Sequence, residues 1–357
     1  MNNPYSTNKI TYHPLYLKAL RENRPVAPLH VQLIPTNVCN QRCSFCAYRQ
    51  PGYSSSKTFD DRQSIPFDKM AEIVDNCASM GVRAIQVTGG GEPTCYSDFL
   101  PLCEIILDCG IDLAVVTNGA RWTETHIDCL QHAKWVRFSI NAGTALTYAK
   151  LRRVEARYYS KVLETIRLLA EHKNKPTIGV GFVINKDNWQ EIILAAKAAK
   201  ESGADNIRLS AVFQDQGESY FDEFKDHAIL LCKEAENLST DKFQVINLFN
   251  DRVDDLAQGR PKYKNCHISQ LCTYIGADMN VYRCCVYAYN PLGLLGSIKD
   301  RSFQDLWMDP KTQQSLREFD ARSCVRCMFN GKNRAIQTAI DSQEIPTDLP
   351  PDHINFI

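Results

Sequence analysis

The chain has 357 residues, and its 41 Lys and Arg residues balance 41 Asp and Glu residues to a formal net charge of zero. This length is enough for one large or two medium domains with hydrophobic cores of their own. The balanced charge argues against chain-wide attraction to nucleic acid or an anionic membrane. The sequence has neither a secretory signal nor a run of about 18 apolar residues. We therefore expect a cytoplasmic protein with no membrane or nucleic-acid polymer as a partner.

Six β-rich runs alternate with amphipathic helical patterns from residue 31 onward. The runs cover residues 31–36, 84–90, 112–118, 135–141, 177–184 and 206–213. In the intervening segments apolar residues recur at i, i+3, i+4 and i+7, which indicates helices with one buried face. Strands that alternate with helices predict an α/β fold with a parallel sheet, either a partial (β/α)6 barrel or an open sheet. In both folds functional residues gather at the carboxyl ends of the strands.

The pattern changes after about residue 240, where short strands and six clustered cysteines follow. We predict an N-terminal extension over residues 1–30, a partial barrel over 31–240, a small α+β cluster-binding domain over 241–330 and a C-terminal tail over 331–357. The stretch "IPTDLPPDHINFI" near the C-terminus is rich in proline and predicts irregular structure.

Three cysteines stand close together after the first strand, at Cys39, Cys43 and Cys46. The whole chain has 15 cysteines, an odd count that suits metal ligation better than disulfides. A 4Fe-4S cluster needs four thiolate ligands, so three would leave one iron open for a reactant. The alternatives are a zinc site with one distant ligand or three unrelated thiols, but no histidine or fourth cysteine stands at zinc-finger spacing.

The spacing Cys-x3-Cys-x-aromatic-Cys, with Phe45 before the last cysteine, resembles the defining motif of the radical S-adenosylmethionine (radical SAM) superfamily. The resemblance covers roughly residues 30–235 and implies a partial barrel that carries a 4Fe-4S cluster. In that family SAM chelates the open iron and is cleaved to a 5'-deoxyadenosyl radical. The resemblance also implies an external one-electron reductant such as flavodoxin or ferredoxin.

Further motifs at the strand ends resemble the SAM-binding motifs of the family. "VTGGGEPT" resembles the Gly-Gly-Glu-Pro motif that holds the methionine amino group, and the Glu92 carboxylate can hold an ammonium. Asn141 departs from the more common aspartate, and either Arg152 or the adjacent Arg153 matches an arginine that pairs with the methionine carboxylate. The resemblance thus assigns SAM contacts to Phe45, Gly90, Gly91, Glu92, Thr117, Asn118, Ser139, Asn141 and Arg152, with Asn185 as a further ribose candidate.

The C-terminal cysteines resemble the ligands of a twitch or SPASM auxiliary domain. Cys266, Cys284, Cys324 and Cys327 are expected to saturate a second 4Fe-4S cluster. Cys272 could replace one of them, and a structural zinc site built from the same thiols is the alternative. We therefore expect two 4Fe-4S clusters and SAM as cofactors.

A saturated auxiliary cluster favours oxidation of a substrate after hydrogen abstraction. The short N-terminal extension favours a small polar substrate such as a sugar, cyclitol, nucleoside or nucleotide. The alternatives are a radical epimerase or isomerase, a peptide-modifying SPASM-type enzyme, and a non-enzymatic iron-sulfur or zinc scaffold. Cys285 is a candidate hydrogen donor for epimerisation, and Arg208, Gln214 and Asp215 are candidate pocket residues.

Overall fold

The computed structural model describes residues 4–342 and 349–357. Within these residues the strands form one sheet in the order β10-β9-β8-β1-β2-β3-β4-β5-β6-β7. Their bounds are β1 His30–Leu33, β2 Ala84–Val87, β3 Asp112–Thr117, β4 Trp135–Ser139, β5 Thr177–Ile184, β6 Asn206–Ala211, β7 Gln244–Asn247, β8 Cys272–Ile275, β9 Asn280–Tyr282 and β10 Leu294–Ser297.

The six predicted strands all form, and they pair in parallel in the order of the chain. The expected α/β partial barrel is therefore confirmed. A further strand, β7, pairs in parallel with β6, so the sheet continues past the predicted domain boundary at residue 240. Because successive parallel strands run the same way, their carboxyl ends lie together at one mouth of the barrel.

Helices cover the outer face of the sheet through apolar stripes. For example, Met70, Ile73, Val74 and Cys77 face the core from one helix, which ends at Gly81 with φ +81°, a conformation that glycine adopts without strain. The α-helices are α1 Pro14–Arg21, α2 Phe67–Met80, α3 Phe99–Asp108, α4 Glu124–Leu130, α5 Ala145–Arg152, α6 Arg157–Ala170, α7 Ile192–Glu201, α8 Lys225–Glu236, α9 Phe249–Gln258, α10 Ile268–Leu271, α11 Phe303–Met308, α12 Pro310–Glu318 and α13 Asn330–Ser342.

The C-terminal strands join the barrel sheet at its other edge. β8 pairs in parallel with β1, with Cys272 opposite His30, and β9 and β10 add antiparallel strands. Met279 turns the chain between β8 and β9 with φ +58°, in the left-handed region where glycine is more common. The region of the second cysteine group is thereby held against the first strand of the barrel.

The floor of the barrel is closed by residues from both ends of the described chain. Phe356 packs between the rings of His30 and Trp135, at centroid distances of 5.4 and 5.3 Å. Lys9 Nζ donates hydrogen bonds to the carbonyl oxygens of His353 and Phe356. Of the stretch predicted to be irregular, residues 345–348 lie outside the described residues, and 349–357 form no helix or strand. None of the described helices has the length and apolarity to cross a membrane.

Candidate active site

The three-cysteine loop leaves the carboxyl end of β1 and enters a central cavity of about 620 Å³. Cys39, Cys43 and Cys46 all line this cavity, which extends down into the barrel. The backbone N–H of Gln41 points at Cys39 Sγ at 3.4 Å, and the N–H of Cys46 bonds the carbonyl of Cys43 at 3.3 Å. The loop therefore lies at the predicted position, and all three thiols line the same cavity.

Burial makes these thiols poor thiolates in the absence of metal. It raises the pKa of Cys39 to about 12, and it raises the pKa of Cys43 although Arg152 acts against it. A nucleophilic cysteine needs the opposite shift. Metal ligation replaces the thiol proton and needs no low pKa in the free chain, so the loop suits a metal centre better than covalent catalysis.

Arg152 fastens the three-cysteine loop to the fourth strand. Its guanidinium donates hydrogen bonds to the carbonyl oxygens of Ser139 and Ile140 and, at 2.8 Å, to Gln41 Oε1. It also lies 3.8 Å from Cys43 Sγ. Its neighbour Arg153 is exposed and has φ +54°. Of the two arginines, only Arg152 therefore faces the cavity, and most of its N–H groups already have acceptors in the chain.

Glu92 is a buried carboxylate that the chain orients without a cationic partner. Thr94 and Thr117 donate to Oε1, the latter at 2.5 Å, and the N–H of Asn118 donates to Oε2 at 2.7 Å. Burial raises the pKa of Glu92 although these hydrogen bonds oppose it. No Lys, Arg or His of the described chain lies within 4.0 Å of the carboxylate. A ligand ammonium would complete this site.

The glycines of "TGGGE" pack against the cysteine loop. A Cβ at Gly91 would lie 2.1 Å from the carbonyl oxygen of Val38, and one at Gly90 would lie 2.3 Å from Asn37 Oδ1. The N–H of Gly91 bonds the carbonyl of Thr36. The glycines line the cavity, as expected, but the close approach that demands them is to the chain itself, so they also position the three cysteines.

The remaining SAM-contact candidates divide between the cavity and the surrounding scaffold. Phe45, Thr117, Asn118, Ser139 and Asn141 line the cavity. The Asn141 side chain already accepts a hydrogen bond from the N–H of Val183 at 2.7 Å. Asn185 does not line the cavity and instead bonds its own loop.

Four of the six C-terminal cysteines surround a second, much smaller cavity of about 30 Å³. We call this set, Cys266, Cys284, Cys324 and Cys327, the four-cysteine cage. Cys272 does not line this cavity, and its Sγ lies 3.6 Å from His30 Nδ1. The position of the sulfurs therefore favours the four cysteines of the cage as a ligand set over one that includes Cys272.

The cage carries a cation and hydrogen-bond donors near its sulfurs. Burial lowers the pKa of Arg283, which lies beside the thiols of Cys266 and Cys284. Tyr263 Oη–H and the N–H of Phe329 point at Cys327 Sγ at 3.4 and 3.3 Å. Such groups stabilise the negative charge of an iron-sulfur cluster and tune its potential.

Four thiolates can ligate either a single zinc ion or an iron-sulfur cluster. Among the described residues, no three Cys, His, Asp or Glu side chains converge closely enough to hold one metal ion. Zinc binds each sulfur at about 2.3 Å and so draws its ligands tightly together. A 4Fe-4S cluster instead spreads four thiolates over four irons.

Cys285 faces the central cavity, whereas its neighbour Cys284 faces the cage. Burial raises the pKa of Cys285, although Arg252 and Lys332 oppose the shift, so the thiol keeps its hydrogen at neutral pH. Val286 and Phe329 line both cavities. The cage is thus separated from the central cavity by single side chains.

Two family models match the chain at the positions of these two sites. The model described as the Radical SAM superfamily matches residues 33–226, which is more than half of the chain. The chain belongs to the radical SAM superfamily. A model described as an iron-sulfur cluster-binding domain, SPASM, matches residues 266–328. The protein is therefore a radical SAM enzyme with a C-terminal SPASM region, and its cofactors are SAM and iron-sulfur clusters.

Known radical SAM proteins resemble the chain in sequence and fold. The sporulation killing factor maturation protein SkfB of Bacillus subtilis is 26% identical over 263 residues, which cover 72% of this chain but only 60% of SkfB. Streptococcus suis SuiB, solved with the precursor peptide SuiA, has a TM-score of 0.62 at 14% identity and covers 85% of this chain and 70% of SuiB. The structure of anSMEcpe with AdoMet has a TM-score of 0.60 at 17% identity, covering 86% of this chain and 88% of that one. The two solved structures establish the shared fold.

Sequence reasoning missed the polar residues that tie the site together. Gln41 lies inside the cysteine motif, and its side chain joins Tyr148 to Arg152. Asn118 Nδ2 donates to Asn40 Oδ1 at 2.8 Å, which links the third strand to the cysteine loop. No periodicity marks such contacts between distant loops. Of the proposed pocket residues, Arg208 and Asp215 line the central cavity, and Gln214 does not.

Proposed function

We propose that this radical SAM enzyme abstracts a hydrogen atom from a residue of a peptide substrate and oxidises that residue. Among its relatives, SkfB matches 72% of this chain and the GTP 3',8-cyclase of Pasteurella multocida 55%, so the longer match supports a peptide over the expected small polar substrate. SkfB is named a maturation protein, SuiB was solved with the precursor peptide SuiA, and anSMEcpe with the Kp18Cys peptide. The match covers only 60% of the length of SkfB, so a peptide substrate for this chain is a proposal.

We assign the three-cysteine loop to the SAM-binding cluster and the four-cysteine cage to one saturated auxiliary cluster. When bound, these groups supply the reducing electron, the 5'-deoxyadenosyl radical and a one-electron acceptor. Glu92 receives the methionine amino group of SAM, because its buried carboxylate has no cationic partner within the described chain. Arg152 contributes mainly by placing positive charge beside Cys43. Flavodoxin or ferredoxin is the proposed source of electrons.

The observation that carries the oxidative outcome is the thin wall between the two cavities. Val286 and Phe329 each line the central cavity on one side and the cage on the other. A substrate residue in the central cavity would therefore lie close to the cage without contacting its sulfurs. This arrangement suits transfer of an electron and excludes direct ligation of the substrate.

The test is anaerobic turnover of the reconstituted enzyme with peptides encoded beside its gene. We expect 5'-deoxyadenosine that depends on dithionite, together with a peptide lighter by two hydrogen atoms. A nucleoside or sugar that is oxidised while every such peptide is left unchanged would contradict the peptide assignment. Zinc in place of iron, with no SAM cleavage, would support the non-enzymatic scaffold.

A second candidate function is epimerisation, which the position of Cys285 favours. Its protonated thiol faces the central cavity and could donate a hydrogen atom to a substrate radical, and one electron from the auxiliary cluster with a solvent proton would restore the resulting thiyl radical to the thiol. Turnover in deuterated water would then give a peptide with one solvent deuterium and no loss of hydrogen. In the Cys285→Ala variant that deuterium should disappear, and a deuterium that persists would exclude Cys285 as the donor.

A further inference from the structure

The central cavity carries a large excess of positive charge. Among the described residues, only two acidic side chains line it, Glu92 and Asp215. Seven basic side chains line it, namely Lys9, Arg49, Arg137, Arg152, Arg208, Arg252 and Lys332. Because charges withdrawn from water are costly unless they are paired, such an excess requires an explanation.

Four of the seven cations have ion-pair or hydrogen-bond partners in the chain. The other three have no carboxylate nearby among the described residues. The paired ones are Arg49 with Asp61, Arg252 with Asp255, Lys9 with two carbonyl groups, and Arg152 as described above. Arg137, Arg208 and Lys332 have no carboxylate within 4.0 Å among the described residues. In addition, Arg208 Nε is buried without any hydrogen-bond acceptor.

Arg137 and Arg208 lie on the two strands that flank β5, and the β5 residues paired with them are glycines. Arg137 of β4 pairs with Gly179 of β5, and Arg208 of β6 pairs with Gly181. A Cβ at Gly181 would lie 3.6 Å from Arg137 Cδ. The two glycines place no side chain there, and Tyr5 lies beside the two cations instead: its ring is 5.4 Å from the guanidinium carbon of Arg208, and its phenol oxygen accepts a hydrogen bond from Arg137.

Positive charges in the cavity also lower the pKa of neighbouring cations. Burial, with Arg137 second, lowers the pKa of Arg208 to about 9. Burial lowers the pKa of Lys332 as well, and Arg252 and Arg208 add to the effect. Burial alone would raise the pKa of the Tyr5 phenol, but Arg137 and Arg208 lower it overall. The field in this part of the cavity thus favours a negative group.

We propose that Arg137 and Arg208, with Lys332 beside them, form an anion subsite that binds a carboxylate of the substrate. Two neighbouring guanidinium groups that no carboxylate of the described residues pairs suit the paired oxygens of a carboxylate ligand. The subsite would anchor the substrate in the barrel below the three-cysteine loop. That the carboxylate belongs to a peptide, on an acidic side chain or at the chain end, rests on the proposed function.

Four small probes separate the possible sources of the anion. N-acetyl-glutamate amide offers a side-chain carboxylate, N-acetyl-alanine a chain-end carboxylate, and inorganic phosphate a different oxyanion. N-acetyl-glutamine amide is the neutral control. Each is titrated into the reconstituted holoenzyme at constant ionic strength, with the midpoint of thermal unfolding and equilibrium dialysis as readouts. A ligand that binds only the folded state should raise the midpoint.

The variants are Arg208→Met and Arg137→Met, with the exposed Arg167→Met as the matched control. We expect one of the carboxylate probes to bind wild type, and each cavity variant to bind it at least about tenfold more weakly. Without any probe, Arg208→Met should melt higher than wild type, because it removes an unpaired buried charge. A merely structural arginine would give the opposite change, so this readout separates binding from folding.

Three results would decide against parts of this assignment. Equal binding of a carboxylate probe by wild type and both cavity variants, or no saturable binding of any anion, would overturn the subsite and leave the peptide function standing. Binding of phosphate alone, lost in both cavity variants, would overturn a carboxylate as the ligand and leave the peptide function to its own turnover test. If Arg208→Met does not fold, Arg137→Met on the neighbouring strand provides the same comparison.

Discussion

The two cysteine sites differ in how they meet the rest of the protein. The three thiols of the loop open into a cavity of about 620 Å³, whereas the four thiols of the cage enclose about 30 Å³ behind Val286 and Phe329. The open site leaves room for a ligand on the metal, and the closed site leaves none. Under the proposed assignment, one centre binds a reactant and the other only exchanges electrons.

The largest effect should follow from removal of a ligand at the open site. In Cys43→Ala we expect about half of the iron to be lost, because one of two 4Fe-4S clusters has lost a ligand. Formation of 5'-deoxyadenosine should fall below detection. Iron analysis and chromatography of the nucleoside measure both effects. Cys109→Ala, at an exposed thiol, is the control, and SAM cleavage by Cys43→Ala would refute the assignment.

Removal of a ligand at the closed site should separate SAM cleavage from product formation. We expect Cys324→Ala to lose about half of the iron, to retain cleavage of SAM, and to give no oxidised peptide. Cys272→Ala is the matched control, since that thiol lies outside the cage and should leave the iron content unchanged. Loss of iron in Cys272→Ala with full iron in Cys324→Ala would mean that the cage has been assigned wrongly.

Replacement of Glu92 should affect the open site alone, because its carboxylate is proposed to bind SAM. The Glu92→Gln substitution removes a buried charge, so we expect SAM to bind at least about tenfold more weakly. Because burial raises the pKa of Glu92, SAM binding to wild type should also weaken as the pH falls through that raised pKa. Dialysis against SAM measures both effects. Unchanged affinity in Glu92→Gln, with the exposed Glu104→Gln as control, would contradict the role.

The smallest effect concerns His30 in the floor of the barrel, which lines the central cavity but has no proposed role in binding SAM or a cluster. Burial lowers the pKa of His30 to about 3, so the unfolded chain binds a proton there that the folded chain does not. As the pH falls below about 6.5, the free energy of unfolding should therefore decrease by up to about 1.4 kcal/mol per pH unit. Denaturant unfolding of His30→Gln should show a shallower dependence. An unchanged slope, judged beside the exposed His132→Gln, would exclude this contribution.

The barrel could be predicted from sequence because its signals are local. Each strand is a short β-rich run between helical patterns, and the cysteine spacing is contained within eight residues. The parallel strand β7 was missed as part of the barrel, since the residues around it carry a weaker helical pattern. The pairing of β8 with β1 joins residues some 240 apart, which no local pattern records. Tertiary packing alone decides that contact.

The same limit applies within the site. The spacing of Cys39, Cys43 and Cys46 indicated a metal centre, but it could not show that Gly90 and Gly91 are needed for contact with Asn37 and Val38. Nor could the spacing show that Cys272 lies outside the cage, since ligand sets with and without Cys272 both fit the sequence. Which thiol faces which cavity depends on side-chain direction in the folded chain.

Electron paramagnetic resonance of the reduced enzyme, with and without SAM, tests the contrast between the two centres most directly. We predict signals from two 4Fe-4S clusters, of which only one changes when SAM is added. That signal should be absent from Cys43→Ala, and the unchanged one should be absent from Cys324→Ala. If SAM altered both signals or neither, the assignment of one open and one closed centre would be contradicted.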